Sequence, residues 1–436
     1  MAKQGGKQEL YTTEPAPTRA FLVGVVLRTS EWPVDRSLDE LARLAETDGA
    51  EVVGRTTQRL DKPVGRTYIG SGKVEEIGSL IRQLSVEVVI FDDEISPSQQ
   101  MNLEKAWNVD GTDVKVMDRT ALILDIFGLH AQTREGRLQV ELAQLQYQLP
   151  RLRGMWSNLE GEKTRGGIGG MMGAGESQLE ADRRTIRARI TKVKEDLEQV
   201  ERQRDVQSKG RSESDAFRVA LAGYTNSGKS TLLNYLTGSN VYAEDKLFGT
   251  LDPTTRAYDL PGGRTVTVTD TVGFIQKLPH ELVDAFKSTL AEVRDADLIL
   301  KVVDVADEDF ERHIETVDSV LDEIGAGEVP AVMVYNKIDL LPEEDREALK
   351  LREPDAVCVS ALKGEGIDDL VDRIAKEAAA NDHLLSACIP YSEGALLSSV
   401  HELGQVISEE YRGDGAHIVA KVPPRLATRL ERYVEE

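Results

Sequence analysis

Apolar residues follow three different rhythms along the chain. Between Ala20 and Asp118, short apolar runs alternate with segments of helical period. Ala20–Leu27, Glu51–Thr57, Val86–Phe91 and Asp113–Met117 read as strands, and Leu38–Thr47, Val74–Leu84 and Ser98–Trp107 read as helices. That alternation predicts a small parallel α/β subdomain. From about Arg119 to Ser214 the period changes. Leu138, Leu142, Leu145 and Leu149 recur at helical spacing, and Ile186, Ile190, Val193, Leu197 and Val200 step by four, three, four and three. The second series is a seam of coiled-coil type. A glycine-rich gap at about 154–176 leaves room for a turn, so two long helices are predicted to pack antiparallel. After Ala216 the α/β rhythm returns, with strands at Arg218–Ala222, Thr265–Thr269, Leu298–Val305, Ala331–Tyr335 and Ala356–Val359. The last stretch predicts a small α+β segment, with a helix near Ser392–Glu410 and a strand near His417–Val422. The expected division is a disordered tail (1–18), an N-terminal α/β subdomain (19–130), a helical hairpin (131–214), a second α/β domain (215–380) and a small C-terminal domain (381–436).

Composition narrows the class. The chain has 436 residues, 53 Lys and Arg against 76 Asp and Glu, and a net charge of −23, which excludes a uniformly basic nucleic-acid coat. Two cysteines, Cys358 and Cys388, exclude a disulfide framework, and the six histidines show no metal-ligand spacing. No run approaches the ~18 apolar residues of a membrane span. The expectation is a soluble, cytoplasmic monomer without a membrane or DNA partner.

The chemistry concentrates after residue 220. Gly223-Tyr224-Thr225-Asn226-Ser227-Gly228-Lys229-Ser230 fits G-x-x-x-x-G-K-[ST], between a predicted strand and a predicted helix. Such a loop turns backbone N–H groups toward phosphate oxygens. In it Lys229 reaches the β and γ phosphates and Ser230 holds Mg²⁺. Asp270-Thr271-Val272-Gly273 ends the strand Thr265–Thr269, about 40 residues after Lys229. There Asp270 is placed for the Mg²⁺ shell and the Gly273 N–H for the γ-phosphate. Asn336-Lys337-Ile338-Asp339 follows another strand. Asp339 can accept two hydrogen bonds from guanine and none of that kind from adenine, while Ser360-Ala361-Leu362 suits the guanine oxygen. Phe248-Gly249-Thr250-Leu251-Asp252 lies between the first two motifs, with Thr250 as the second Mg²⁺ hydroxyl and Thr254 and Thr255 as rivals. In this order the elements predict a P-loop GTPase domain that binds GTP and GDP with Mg²⁺, with Lys229, Thr250 and Gly273 as catalytic residues.

Two positions qualify that expectation. Phe274 stands where many GTPases carry the glutamine that orients water, so hydrolysis is expected to be slow without a partner. Asn226 sits where cation-activated GTPases bind K⁺, but an asparagine that stabilises the loop explains it equally well. Two other motifs read blandly: Gly70-Ser71-Gly72-Lys73 as a turn before a helix, and Asp92-Asp93-Glu94 as a solvated strand end.

The Thr250–Arg256 stretch, Asp270–Phe274, Val302-Val303-Asp304, Tyr68–Lys73 and Glu176-Ser177-Gln178-Leu179-Glu180 together resemble the HflX family of ribosome-associated GTPases. The likeness covers nearly the whole chain after residue 20. It implies an α/β subdomain, a helical hairpin and a GTPase domain. It also implies GTP-dependent binding to the large ribosomal subunit, including its rRNA, and the splitting of stalled or idle ribosomes.

The hairpin carries the charge such a partner needs. From Gln148 to Lys194 there are ten basic and five acidic residues, a net +5: Arg151, Arg153, Lys163, Arg165, Arg183, Arg184, Arg187, Arg189, Lys192 and Lys194 are the basic ones. Arginines around the flexible loop Gly166–Gly175 suit phosphate contact with folded RNA. Family members commonly carry Thr-Arg and then Gly-Pro-Gly in this loop. Here Met171-Met172 and Ala174 replace them. The same features allow a large-subunit assembly GTPase, or a GTP-gated protein-interaction module that uses the hairpin seam.

Overall fold

The computed structural model describes residues 17–28, 32–109, 111–163, 172–211, 216–238, 247–261, 263–277, 287–380 and 382–435. Most of the expected tail and loop residues 164–171, including Arg165, lie outside the described residues. Two compact units emerge, one from the start to Ile123 with Arg151–Gly175, the other from Leu124–Pro150 and Glu176–Glu436. The stretch expected as one hairpin body is therefore shared between them.

In the first unit the order is β1 (Thr18–Val26), α1 (Val34–Thr47), β2 (Ala50–Arg59), α2 (Ser71–Leu84), β3 (Val88–Phe91), α3 (Pro97–Trp107) and β4 (Lys115–Asp118). All four strands are parallel, in the order β2-β1-β3-β4. Phe21, Val23, Ile77, Ile81, Val89, Phe91 and Trp107 fill its core. Gly70 is the N-cap of α2, and the Lys73 ammonium bonds Glu76 (2.9 Å) and Thr56 (3.2 Å), as befits a turn. Asp92 corrects the reading of a solvated strand end. It is buried and holds Arg119, the first residue of helix α4 (Arg119–His130). Arg119 also bonds Glu40 (2.5 Å) and the Ser37 carbonyl (2.9 Å). Residues 27 to 82 positions apart meet here, which no local pattern announces.

The second unit contains the helical stretches 134–150 and 176–211 of α5 (Arg134–Lys163) and α6 (Met172–Arg211). Val140, Ala143 and Val193 are buried, and Arg189 grips Glu141 through two bonds (2.5 and 2.9 Å). The helices extend well into the expected gap, and Pro150 lies inside α5.

The sheet that follows is built from β5 (Phe217–Gly223), α7 (Lys229–Thr237), β6 (Thr254–Asp259), β7 (Thr265–Asp270), α8 (Lys287–Arg294), β8 (Leu298–Asp304), α9 (Phe310–Glu323), β9 (Ala331–Asn336), α10 (Glu343–Arg352), β10 (Val357–Cys358) and α11 (Ile367–Ala379). Its order is β10-β9-β8-β5-β7-β6, parallel except for β6. Val219, Leu221, Val268, Leu300, Val302, Val334 and Leu370 form the core beneath it. Hydrophobic patterning does not predict β6. Its residues are mostly exposed and polar, as on an edge strand, so hydrophobic patterning is silent there.

The C-terminal part adds β11 (His383–Ile389), α12 (Gly394–Leu403), β12 (Gln405–Tyr411), β13 (Ala416–Val422) and α13 (Pro424–Leu430), with an antiparallel sheet β11-β13-β12. The helix expected to reach Glu410 stops at Leu403. Residues 405–411 pair with β13 instead, where β-branched Val406 and Ile407 suit a strand. Arg264 ties this part to the larger sheet, bonding the Ala378 carbonyl (2.6 Å) and Asp382 (2.8 Å).

Candidate nucleotide site

The loop Gly223–Ser230 leaves the carboxyl end of β5, whose neighbours are β7 on one side and β8 on the other. Strand order reverses there, and open α/β sheets bind ligands at such a point. Lys229 is buried, and its ammonium donates to the Gly223 (3.1 Å) and Tyr224 (2.8 Å) carbonyls. Burial lowers its pKa to about 8. Thr225 Oγ1 and Ser227 Oγ are buried with no partner in hydrogen-bonding geometry. Asn226 has φ 59°, a left-handed conformation that asparagine tolerates better than most residues, so the loop itself gives a reason for asparagine.

Two hydroxyls and a carboxylate meet beside the loop. Ser230 Oγ and Thr250 Oγ1 are 2.8 Å apart, and both donate to Asp270 Oδ2, at 2.6 and 3.1 Å. Asp270 Oδ1 is buried without a partner in hydrogen-bonding geometry, and burial raises the carboxyl pKa. Hard oxygen donors around an unmet carboxylate oxygen fit Mg²⁺. The rivals of Thr250 lie elsewhere: Thr254 and Thr255 belong to β6, and Thr255 Oγ1 is 2.9 Å from Thr269 Oγ1.

After Asp270 the chain presses onto the P-loop. Thr271 Oγ1 donates to the Leu221 carbonyl (2.7 Å), and Val272 is buried. A Cβ on Gly273 would lie 2.8 Å from Thr225 Cα and 3.1 Å from Lys229 Nζ, so only glycine fits. Buried Phe274 pairs through its main chain, its N–H to Gly223 O (3.1 Å) and its carbonyl from Thr225 N–H (2.7 Å). One further participant, His313, lies outside the motifs. Tyr224 Oη accepts from the Gln276 N–H (2.8 Å), and its ring stacks on His313 of α9 at 3.9 Å. His313 lies 89 residues from Tyr224, so spacing gave no signal for it.

The loops Asn336–Asp339 and Ser360–Leu362 come together beside the P-loop. Asn336 Nδ2 donates to the Ser227 carbonyl (2.8 Å), and its Oδ1 accepts from Ala361 N–H (3.0 Å), which links three loops. Lys337 pairs with Asp304 (2.7 Å), and Ile338 is buried. Ser360 Oγ donates to Asp339 Oδ1 (2.8 Å), and Lys363 lies 3.4 Å from Oδ2. Burial would raise the Asp339 pKa, but the bonds from Ser360 and Lys363 outweigh it and the carboxyl sits below its ordinary value. Leu362 is exposed.

In the stretch 248–252, Phe248 and Leu251 are buried and Gly249 is half-buried, while Thr250 faces the Ser230–Asp270 pair. Asp252, expected among the nucleotide-binding residues, is used differently: its carboxylate accepts the Gln132 and Thr133 N–H groups.

The basic stretch is less available than its count suggests. Arg151 is spent inside the first unit, on Asp118 (3.1 Å) and the Ile95 carbonyl (2.8 Å), and Arg189 on Glu141. Arg184, Arg187, Lys192 and Lys194 are exposed. Folding also assembles a group that spacing did not show, Cys388, Asp414 and His417, whose ligand atoms lie within 4.8 Å of one another. The His417 ring nitrogens already face Asp414 (3.1 Å) and Glu435 (2.8 Å). Among the described residues, no helix is long and apolar enough to cross a membrane.

Three family models cover most of the chain: "GTP-binding GTPase N-terminal" over residues 35–128, "GTP-binding GTPase Middle Region" over 130–211, and "50S ribosome-binding GTPase" over 218–337. A GTPase HflX from Magnetococcus marinus is 44% identical over 427 residues, 98% of this chain and 97% of that protein. One from Escherichia coli is 42% identical over 383 residues, 87% of this chain and 88% of that protein. A GTP-binding protein from the archaeon Sulfolobus solfataricus, solved with GDP, is 24% identical and covers 83% of this chain and 99% of its own, with a TM-score of 0.43. Near-complete likeness at over 40% identity, together with the P-loop and the loops gathered around it, places the chain in the HflX family of GTPases.

Proposed function

We propose that this chain is a Mg²⁺-dependent GTPase that binds the large ribosomal subunit in its GTP state and splits stalled or idle ribosomes. The observation that carries the reading is the joint match of residues 218–337 to a ribosome-binding GTPase model and of the whole chain to HflX GTPases. In this reading Lys229 leaves the Gly223 and Tyr224 carbonyls for the β and γ phosphates. The loop N–H groups and the orphaned hydroxyls of Thr225 and Ser227 meet the remaining phosphate oxygens. Ser230 and Thr250 would hold Mg²⁺, with Asp270 behind them, and the ion would supply charge neutralisation at the phosphates. The Gly273 N–H contacts the γ-phosphate, and Asp339 reads guanine. Phe274 has no group to orient water, so turnover waits on a partner. The exposed arginines and lysines of the hairpin supply contacts to rRNA phosphates.

Cosedimentation of the full chain with separated ribosomal subunits tests this. A non-hydrolysable GTP analogue should carry the protein down with the large subunit, and GDP should not. Light scattering should then report GTP-dependent dissociation of intact ribosomes. Equal sedimentation with both nucleotides would refute the ribosomal reading.

A further inference from the structure

Thr250 is flanked by two anchors that have nothing to do with phosphate. On one side, Phe248 is buried in a left-handed backbone conformation (φ 59°), which is unfavourable for a bulky residue and persists only where surroundings impose it. Its ring meets Phe127 of α4 edge-on, with centroids 4.6 Å apart. On the other side lies Asp252. Its Oδ2 accepts the N–H groups of Gln132 (2.9 Å) and Thr133 (2.8 Å), and its Oδ1 accepts the Thr133 hydroxyl (2.5 Å). Thr133 in turn caps α5, its Oγ1 accepting the Gly136 N–H (2.9 Å) and its carbonyl the Arg137 N–H (3.1 Å). A carboxylate at a helix N-terminus also meets the positive end of the helix dipole.

The joint is fitted closely. A Cβ on Gly136 would lie 2.4 Å from Asp252 Oδ1, so any side chain there would drive the carboxylate from its place. Main-chain donors, a hydroxyl donor and a bare helix surface thus converge on one carboxylate, two residues from the hydroxyl that faces Asp270.

We propose that Asp252 is a positioning residue that couples Thr250 to the base of the helical hairpin. This rests on the GTP reading of the site. With GTP and Mg²⁺ bound, Thr250 is held inward, and the two-residue span holds Asp252 on Thr133. After hydrolysis Thr250 loses its hold, the stretch 248–252 relaxes, and the start of α5 loses its second cap. The hairpin that carries the basic surface therefore senses the nucleotide through its first turn. Reciprocally, a partner that pulls on the hairpin shifts Thr250 and with it the rate of hydrolysis.

Hydrogen exchange of the full chain, with a non-hydrolysable GTP analogue against GDP, reads this directly. In the unaltered chain the Gln132, Thr133 and Gly136 amides should exchange about tenfold more slowly with the analogue. Asp252→Ala should bring that ratio close to one while leaving analogue affinity within about threefold, because the carboxylate bonds only α5 and its approach. Gly136→Ala keeps every donor and favours helix, so it should remove the same difference without harming the fold. A ratio that stays near ten in both variants would overturn the proposal, as would a ratio of one in the unaltered chain with analogue bound. Failure of the unaltered chain to bind analogue would count instead against the GTP site.

Discussion

Among the described residues, two mostly parallel sheets reverse their strand order, and the polar groups beyond their carboxyl ends have opposite fates. Beyond β1 and β3, Arg119 fills the space and bonds Asp92, Glu40 and Ser37, so charge meets charge within the chain. Beyond β5, the polar groups do not close on themselves. Thr225 Oγ1, Ser227 Oγ and Asp270 Oδ1 are buried without partners, and Lys229 rests on carbonyls of its own loop. A buried polar atom without a partner costs about 1–3 kcal/mol, which a ligand can return. Sheet topology marks where a site is possible, and unmet polarity distinguishes the two positions.

That contrast can be attacked from both ends. The largest effect is expected at the base-reading loop. Asp339→Asn should erase a preference for guanine over adenine on the order of 10⁴-fold, measured as the ratio of kcat/KM for the two triphosphates. Lys229→Ala should slow GTP hydrolysis by about a hundred- to a thousand-fold, the loss typical of one charge-stabilising donor. Thr250→Ala should lower the rate and raise the Mg²⁺ requirement, whereas Thr254→Ala in β6 should leave both close to normal; equal losses would contradict the assignment of the metal hydroxyl. In the other crevice, Asp92→Ala leaves buried Arg119 with Glu40 as its remaining carboxylate and should cost about 1–3 kcal/mol of stability by denaturant titration, with hydrolysis per folded molecule unchanged. The smallest effect concerns Asn226: faster hydrolysis in K⁺ than in Na⁺ would favour a cation ligand, and equal rates the loop conformation alone.

The readability of these features in sequence follows their range. The central strands and the four nucleotide loops are local patterns, and they fell where apolar runs and motif spacing put them. β6 is invisible to patterning because an exposed edge strand carries little hydrophobic signal, and residues 405–411 read as helix because only pairing with β13 decides them. Arg119, Asp252 and His313 act across 27 to 120 positions, at distances where a single sequence holds no register. Asp252 is the instructive case. Its neighbours in the chain suggested a nucleotide ligand, and folding gave its carboxylate to a helix.

On the proposed reading one crevice takes guanine nucleotide, while Arg119 fills the other. Equilibrium titration of the full chain with a fluorescent GTP analogue and Mg²⁺ tests it most directly. One equivalent should bind per chain, abolished by Lys229→Ala and unaltered by Asp92→Ala at temperatures where that variant is folded. Two equivalents, or binding that survives Lys229→Ala and is lost with Asp92→Ala, would contradict it.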